Sequence, residues 1–94
     1  MEKIEVTVNN DTGIHSRPAD FFVRTCKLYK SNITLFYGEK SANAKNILQV
    51  ILLNICKGET ICITADGEDE KEALIDLKQL VESDFKKVNA LVII

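Results

Sequence analysis

The residues best suited to chemistry lie together in Gly13-Ile14-His15-Ser16-Arg17-Pro18-Ala19, a stretch that holds the chain's single histidine and its single proline. Proline in the first turn of a helix loses nothing, because the first N–H groups of a helix have no internal partner. His15 is therefore expected at or just before a helix N-terminus, with Arg17 beside it. Free backbone donors and the positive end of the helix macrodipole both favour an anion there. A neutral imidazole next to such a site can accept a phosphoryl group. A lone histidine in this position also fits a solvated cap or turn residue. The adjacent arginine favours the first reading.

The elements that must hold this stretch are bounded by length and composition. A chain of 94 residues fits one compact domain with a core but little surplus. Apolar residues at 46% and charged residues at 28% are ordinary for a globular protein. The net charge is −2, and no basic stripe is interleaved with aromatics, which argues against nucleic acid as a partner. No apolar run approaches the ~20 residues needed to span a bilayer. The opening Met1-Glu2-Lys3-Ile4-Glu5 alternates and is acidic, unlike a signal peptide, so a cytoplasmic location is expected. Cys26, Cys56 and Cys62 contain no Cys-x-x-Cys pair, and with one histidine they make no zinc site. They read as small buried hydrophobes in a reducing compartment. No metal or cofactor is implied.

Ile4-Glu5-Val6-Thr7-Val8 alternates as a strand with one buried face, and Asn9 to Gly13 is a cluster of turn formers that stops it. Ala19, Phe22, Val23 and Cys26 then recur as the apolar stripe of a first helix, with Lys27 and Lys30 suited to its negative pole. Ile33 to Tyr37 predicts a second strand, turned by Gly38 and Glu39 into a short edge strand, Lys40 to Asn43. Asn46 is a good N-cap for a short helix ending near Asn54, a residue that tolerates a left-handed stop. Val50 and Leu53 can supply the buried face of that helix, leaving Ile47, Leu48 and Ile51 at the surface as a docking patch. A helix buried all round, or a buried strand, fits the same apolar run. Lys57-Gly58-Glu59 is a turn, and Thr60 to Ala65 alternates as another strand, broken by Asp66-Gly67. Asp69 and Glu72 have the spacing of a capping box opening a third helix. Ala73, Leu74, Leu77, Leu80 and Val81 form its apolar stripe, and Lys71, Glu72, Lys78, Gln79 and Glu82 form its wet side. The resulting order, βαββαβα, predicts an α+β fold. Its antiparallel sheet carries the helices on one face and leaves the other more open.

With these elements placed, the chain resembles the HPr family, the histidine-containing phosphocarriers of the bacterial sugar phosphotransferase system. Thr12 to Ala19 carries the most specific likeness. Lys40 to Leu53 with Lys57-Gly58, and Ala65 to Leu74, extend it, and the likeness runs from Val6 to about Glu82. The resemblance implies an open-faced β-sandwich, a four-stranded antiparallel sheet covered by three helices. It also implies a role in sugar transport. Phosphoryl passes from phosphoenolpyruvate through enzyme I to Nδ1 of His15, and on to a IIA component of a sugar permease. Arg17 would balance the phosphate charge, backbone N–H groups near Ser16 would assist, and Ile47, Leu48 and Ile51 would belong to the partner-docking surface. Such a protein is a stoichiometric carrier with a transient phosphohistidine rather than an enzyme.

Several positions depart from the family pattern. Asn46 stands where many relatives from Gram-positive bacteria carry a serine that an ATP-dependent kinase phosphorylates. Asparagine keeps the cap and removes the regulatory hydroxyl. Gln49 and Asn54 replace common glycines. Asp20 places a carboxylate one turn from His15, on the partner-facing side, where it could compete for Arg17 or repel acidic partners. A domain over residues 1–85 and an apolar extension over 86–94 are expected. The β-prone end Leu91-Val92-Ile93-Ile94 could cover the open sheet face, add a strand or join a second copy. The alternative function is an HPr-like regulatory module that docks on a partner without obligatory phosphotransfer.

Overall fold

The computed structural model describes residues 1–85, so the expected extension 86–94 lies outside the described residues. The chain runs β1 (Glu2–Thr7), α1 (Ser16–Lys27), β2 (Asn32–Tyr37), β3 (Lys40–Asn43), α2 (Ile47–Leu52), β4 (Thr60–Asp66) and α3 (Glu70–Glu82). The four strands form one antiparallel sheet in the order β1-β4-β2-β3. This is the expected βαββαβα architecture.

Register explains which face is covered. Ile4 lies opposite Ile63, Ile63 opposite Leu35, and Leu35 opposite Ala42, giving one apolar row across all four strands. Side chains of a strand alternate between faces, so Val6, Ile61, Ile33 and Ala65 share that face and are buried. Onto it pack Ala19, Phe22, Val23 and Cys26 of α1 and Ala73, Leu74, Leu77, Leu80 and Val81 of α3, the two stripes read from the sequence. Burying each large member contributes about 1.5–3 kcal/mol. On the other face, Thr34, Phe36, Cys62 and Thr64 are only partly covered or exposed. No helix among the described residues is long and apolar enough to cross a membrane.

Three local expectations need correction. The cysteines are not all buried. Cys26 is, and burial pushes its thiol up, but Cys56 is exposed and Cys62 is half-buried. Lys30 lies beyond the end of α1, where Arg24 and Lys27 occupy the last turn. Asp69 sits at the N-cap of α3 without capping it, so no capping box with Glu72 forms. Its carboxylate instead accepts from the backbone N–H of Lys30 at 2.7 Å and of Ser31 at 2.9 Å, and from the Ser31 hydroxyl. A tertiary demand has outcompeted the local one, because the turn after α1 has backbone donors with no other partner.

Those bonds hold the Asp69 carboxyl below the usual carboxylate range, the Ser31 hydroxyl and Lys30 N–H being the largest causes. A depressed folded pKa stabilises the fold above the unfolded carboxylate value and is lost as pH falls through the folded one. Asp69→Asn is therefore expected to lower the melting temperature at neutral pH. It should also weaken the further loss of stability below about pH 4, measured by thermal melts across pH.

Candidate functional site

The loop that carries His15 is held by backbone bonds to the turn before β4. Gly58 N–H donates to the Val8 carbonyl at 2.6 Å, and Val8 N–H to Glu59 at 2.9 Å. Asn10 closes the loop on itself, accepting from Gly13 N–H at 3.1 Å and donating from Nδ2 to the Gly13 carbonyl at 2.7 Å. Ile14 N–H then donates to the Ile55 carbonyl at 3.0 Å, and the Ile14 side chain is fully buried. Gly13 has φ +64, and a Cβ there would lie 2.2 Å from the Ile55 carbonyl oxygen. Only glycine permits both that backbone angle and that approach. His15 is thus anchored by its two predecessors. The Lys57–Asp11 ion pair at 2.9 Å adds a surface link between the same two loops, a contact of small energetic weight.

His15 is the N-cap of α1, as the sequence predicts, with extended backbone (φ −129, ψ 160) and no side-chain bond to the helix. The imidazole is half-exposed, and Ser16 and Arg17 are exposed. Pro18 lies in the first turn, which contains no acidic residue to compete for an incoming anion. Ser16 has φ +49, a left-handed conformation that costs a non-glycine residue about 1–3 kcal/mol. The strain next to His15 gave no signal in the sequence, since serine carries none of glycine's mark. Among the described residues no carboxylate pairs with Arg17. Asp20, which could compete for that guanidinium or repel acidic partners, accepts from Arg24 Nε at 3.2 Å, one turn further along α1. The arrangement offers a solvent-accessible nucleophilic nitrogen, a helix N-terminus and an exposed cation within three residues.

α2 packs against α1 and leads through Asn54 into Ile55, the residue bonded to Ile14. Val50 and Leu53 are buried. Ile47, Leu48, Ile51 and Leu52 are 40%, 64%, 37% and 69% exposed, which resolves the open reading of this run as a surface helix. Leu52 was missed in the sequence, although its position four residues after Leu48 puts the two side by side. Asn46 caps α2, its Oδ1 accepting from Gln49 N–H at 3.1 Å. Gln49 in turn accepts from Asn43 N–H at 2.9 Å through its side-chain oxygen, which ties α2 to β3. Asn54 stops the helix with φ +56, as expected. Asn46→Ala should cost about 1 kcal/mol, read as a lower denaturant midpoint with an unchanged slope.

Comparison with known proteins assigns this geometry. The family model described as the PTS HPr component phosphorylation site matches residues 2–83. The chain belongs to the HPr family. Phosphocarrier protein HPr of Buchnera aphidicola subsp. Acyrthosiphon pisum is 36% identical over 81 residues, which cover 86% of this chain and 95% of that protein. Among solved structures, HPr-C-His from Thermoanaerobacter tengcongensis matches with a TM-score of 0.90 at 35% identity, covering 95% of this chain and 100% of that one. HPr from Bacillus anthracis matches with a TM-score of 0.82 at 34% identity, covering 85% of this chain and 95% of that one. The chain is thus a member of the HPr phosphocarriers of the phosphotransferase system, with their open-faced sandwich.

Proposed function

We propose that this protein is a cytoplasmic phosphoryl carrier of the sugar phosphotransferase system that uses His15 as its acceptor. The observation that carries the proposal is the half-exposed His15 at the N-cap of α1, free of a side-chain bond to the helix and followed by Arg17. Nδ1 of the neutral imidazole attacks the phosphorus of phospho-enzyme I. An N–P bond forms as the donor's bond to phosphorus breaks, and enzyme I leaves with the electron pair of that bond. A IIA component then repeats the displacement and returns His15 neutral. Such transfers need positioning and charge stabilisation. The Arg17 guanidinium and the backbone N–H groups around Ser16 supply both. Since the phosphate must be handed on, an exposed arginine serves better than a buried clamp.

Ile47, Leu48 and Ile51, with Leu52, form the apolar docking surface for enzyme I and IIA, and Asp20 lies on the α1 side of that face. The working unit is the domain over residues 1–85. The chain turns over no substrate of its own and acts stoichiometrically. Asn46 removes the regulatory hydroxyl, so incubation with ATP and an HPr kinase should leave the chain without serine phosphate, as checked by peptide mapping.

The test is a relay. The chain, phosphorylated by enzyme I and phosphoenolpyruvate and then separated from both, is mixed with a IIA component. Loss of phosphate from His15 with an equal gain on IIA supports the carrier. A stable phosphohistidine that no IIA component discharges would favour a regulatory module that docks on a partner.

A further inference from the structure

A second surface lies on the side of the molecule formed by β1 and α3. β1 is an edge strand, hydrogen-bonded only to β4 among the described residues. It is six residues long, about 20 Å of extended chain, and contains no proline. Edge strands present a row of unpaired N–H and C=O groups, and an edge of this length is a template for a further strand. Beside it runs a groove of about 410 Å³ between the edge and α3. Its apolar lining is Ile4, Leu74 and Ile75, the last 58% exposed although it follows the buried stripe of the helix. Lys71 and Lys78 of α3 and Glu2 and Lys3 of β1 complete the lining, in which Glu2 is the single acidic residue. Among the described residues none of these lysines takes part in an ion pair.

We infer that this groove docks an extended acidic segment of a partner protein, which adds to β1 as a fifth strand. Main-chain bonds to the free edge would provide affinity, and alternate side chains would provide specificity. The spacing sets the motif. Lys71 and Lys78 lie seven residues apart on one helix, about 10.5 Å along its axis. In a strand, residues i and i+4 are about 13 Å apart and share a face, a difference that flexible lysine stems absorb. The helix-facing side of the guest thus reads acidic–apolar–acidic at i, i+2 and i+4, with the apolar residue over Ile4, Leu74 and Ile75. A second copy of this chain fits less well, because it would bring its own Lys71 and Lys78 against those already there. The surface is distinct from the His15 loop and α2, so its occupation does not depend on the phosphocarrier reading.

The test uses the isotopically labelled full chain in solution, titrated with a blocked heptapeptide of sequence Thr-Glu-Thr-Val-Thr-Glu-Thr while amide resonances are followed. Saturable shifts confined to Glu2–Thr7 and to the part of α3 around Leu74 and Ile75 are expected. The same peptide with lysine for glutamate should leave these signals in place. A Lys71→Glu/Lys78→Glu variant, shown to be folded by its own spectrum, should bind at least ~10-fold more weakly. Absence of saturation, shifts centred on α2, or binding indifferent to either charge reversal would overturn the inference. So would cross-strand contacts between β1 and residues 88–94, or between two β1 strands, in the protein before peptide is added. Those outcomes would make the chain itself the occupant.

Discussion

His15→Ala is expected to abolish phosphate uptake while leaving the melting curve almost unchanged. The imidazole is half-exposed and makes no capping bond, so its removal creates neither a core cavity nor an unsatisfied helix N–H. Surface substitutions of that kind stay within about 0.5 kcal/mol. Loss of the acceptor nitrogen, by contrast, removes the reaction itself, and no second histidine exists to replace it. Uptake by the variant under conditions that load the parent would move the acceptor to another side chain. A large fall in stability would mean that His15 serves this loop as a structural element.

Gly13→Ala is the second substitution with a large effect, and it works through the backbone. The new methyl group would stand 2.2 Å from the Ile55 carbonyl oxygen and 2.9 Å from the Cys56 Cα, neither of which is a flexible side-chain end. It would also hold alanine at φ +64. Left-handed backbone costs about 1–2 kcal/mol and forced overpacking about 1–3, together about 3 kcal/mol. For a domain of this size that is a fall in melting temperature of more than ~10 °C. Relief of the clash must push Ile14 and His15 away from the turn before β4, and a displacement of about 1 Å can cost on the order of 100-fold in transfer rate. Gly38→Ala is the matched control. Its φ is +60, but nothing lies within 4 Å of the added carbon, so it should show the backbone cost alone. Equal losses in the two variants would remove the role assigned to the Ile55 contact.

These two positions show where local sequence carries the fold and where it does not. Gly13 reads as a turn glycine from its neighbours. Its closer reason, the approach of Ile55, lies more than forty residues away in the chain and is visible only when the two loops meet. The first helix and its N-cap were legible because proline, an apolar stripe and a preceding turn all point one way. α2 was ambiguous because six apolar residues in a stretch of seven, broken only by Gln49, blur the periodicity, and the burial of Val50 and Leu53 identifies the inner face. Asp69 was misread for the opposite reason. Its local pattern with Glu72 was clear, yet the carboxylate serves the turn after α1. Asp20 likewise found Arg24 four residues on, the pairing that helix geometry brings nearest, rather than Arg17. Cys56 defeated the reading of cysteine as a buried hydrophobe because it lies in the exposed turn that holds the His15 loop.

The most direct measurement is the intact mass of the unmodified chain after incubation with phosphoenolpyruvate, magnesium and an enzyme I shown to be active on another HPr. A gain of a single phosphoryl group is predicted, stable in base, lost in acid and absent without enzyme I. A chain that keeps its original mass beside that active enzyme would contradict the assignment of His15 as a phosphoryl acceptor.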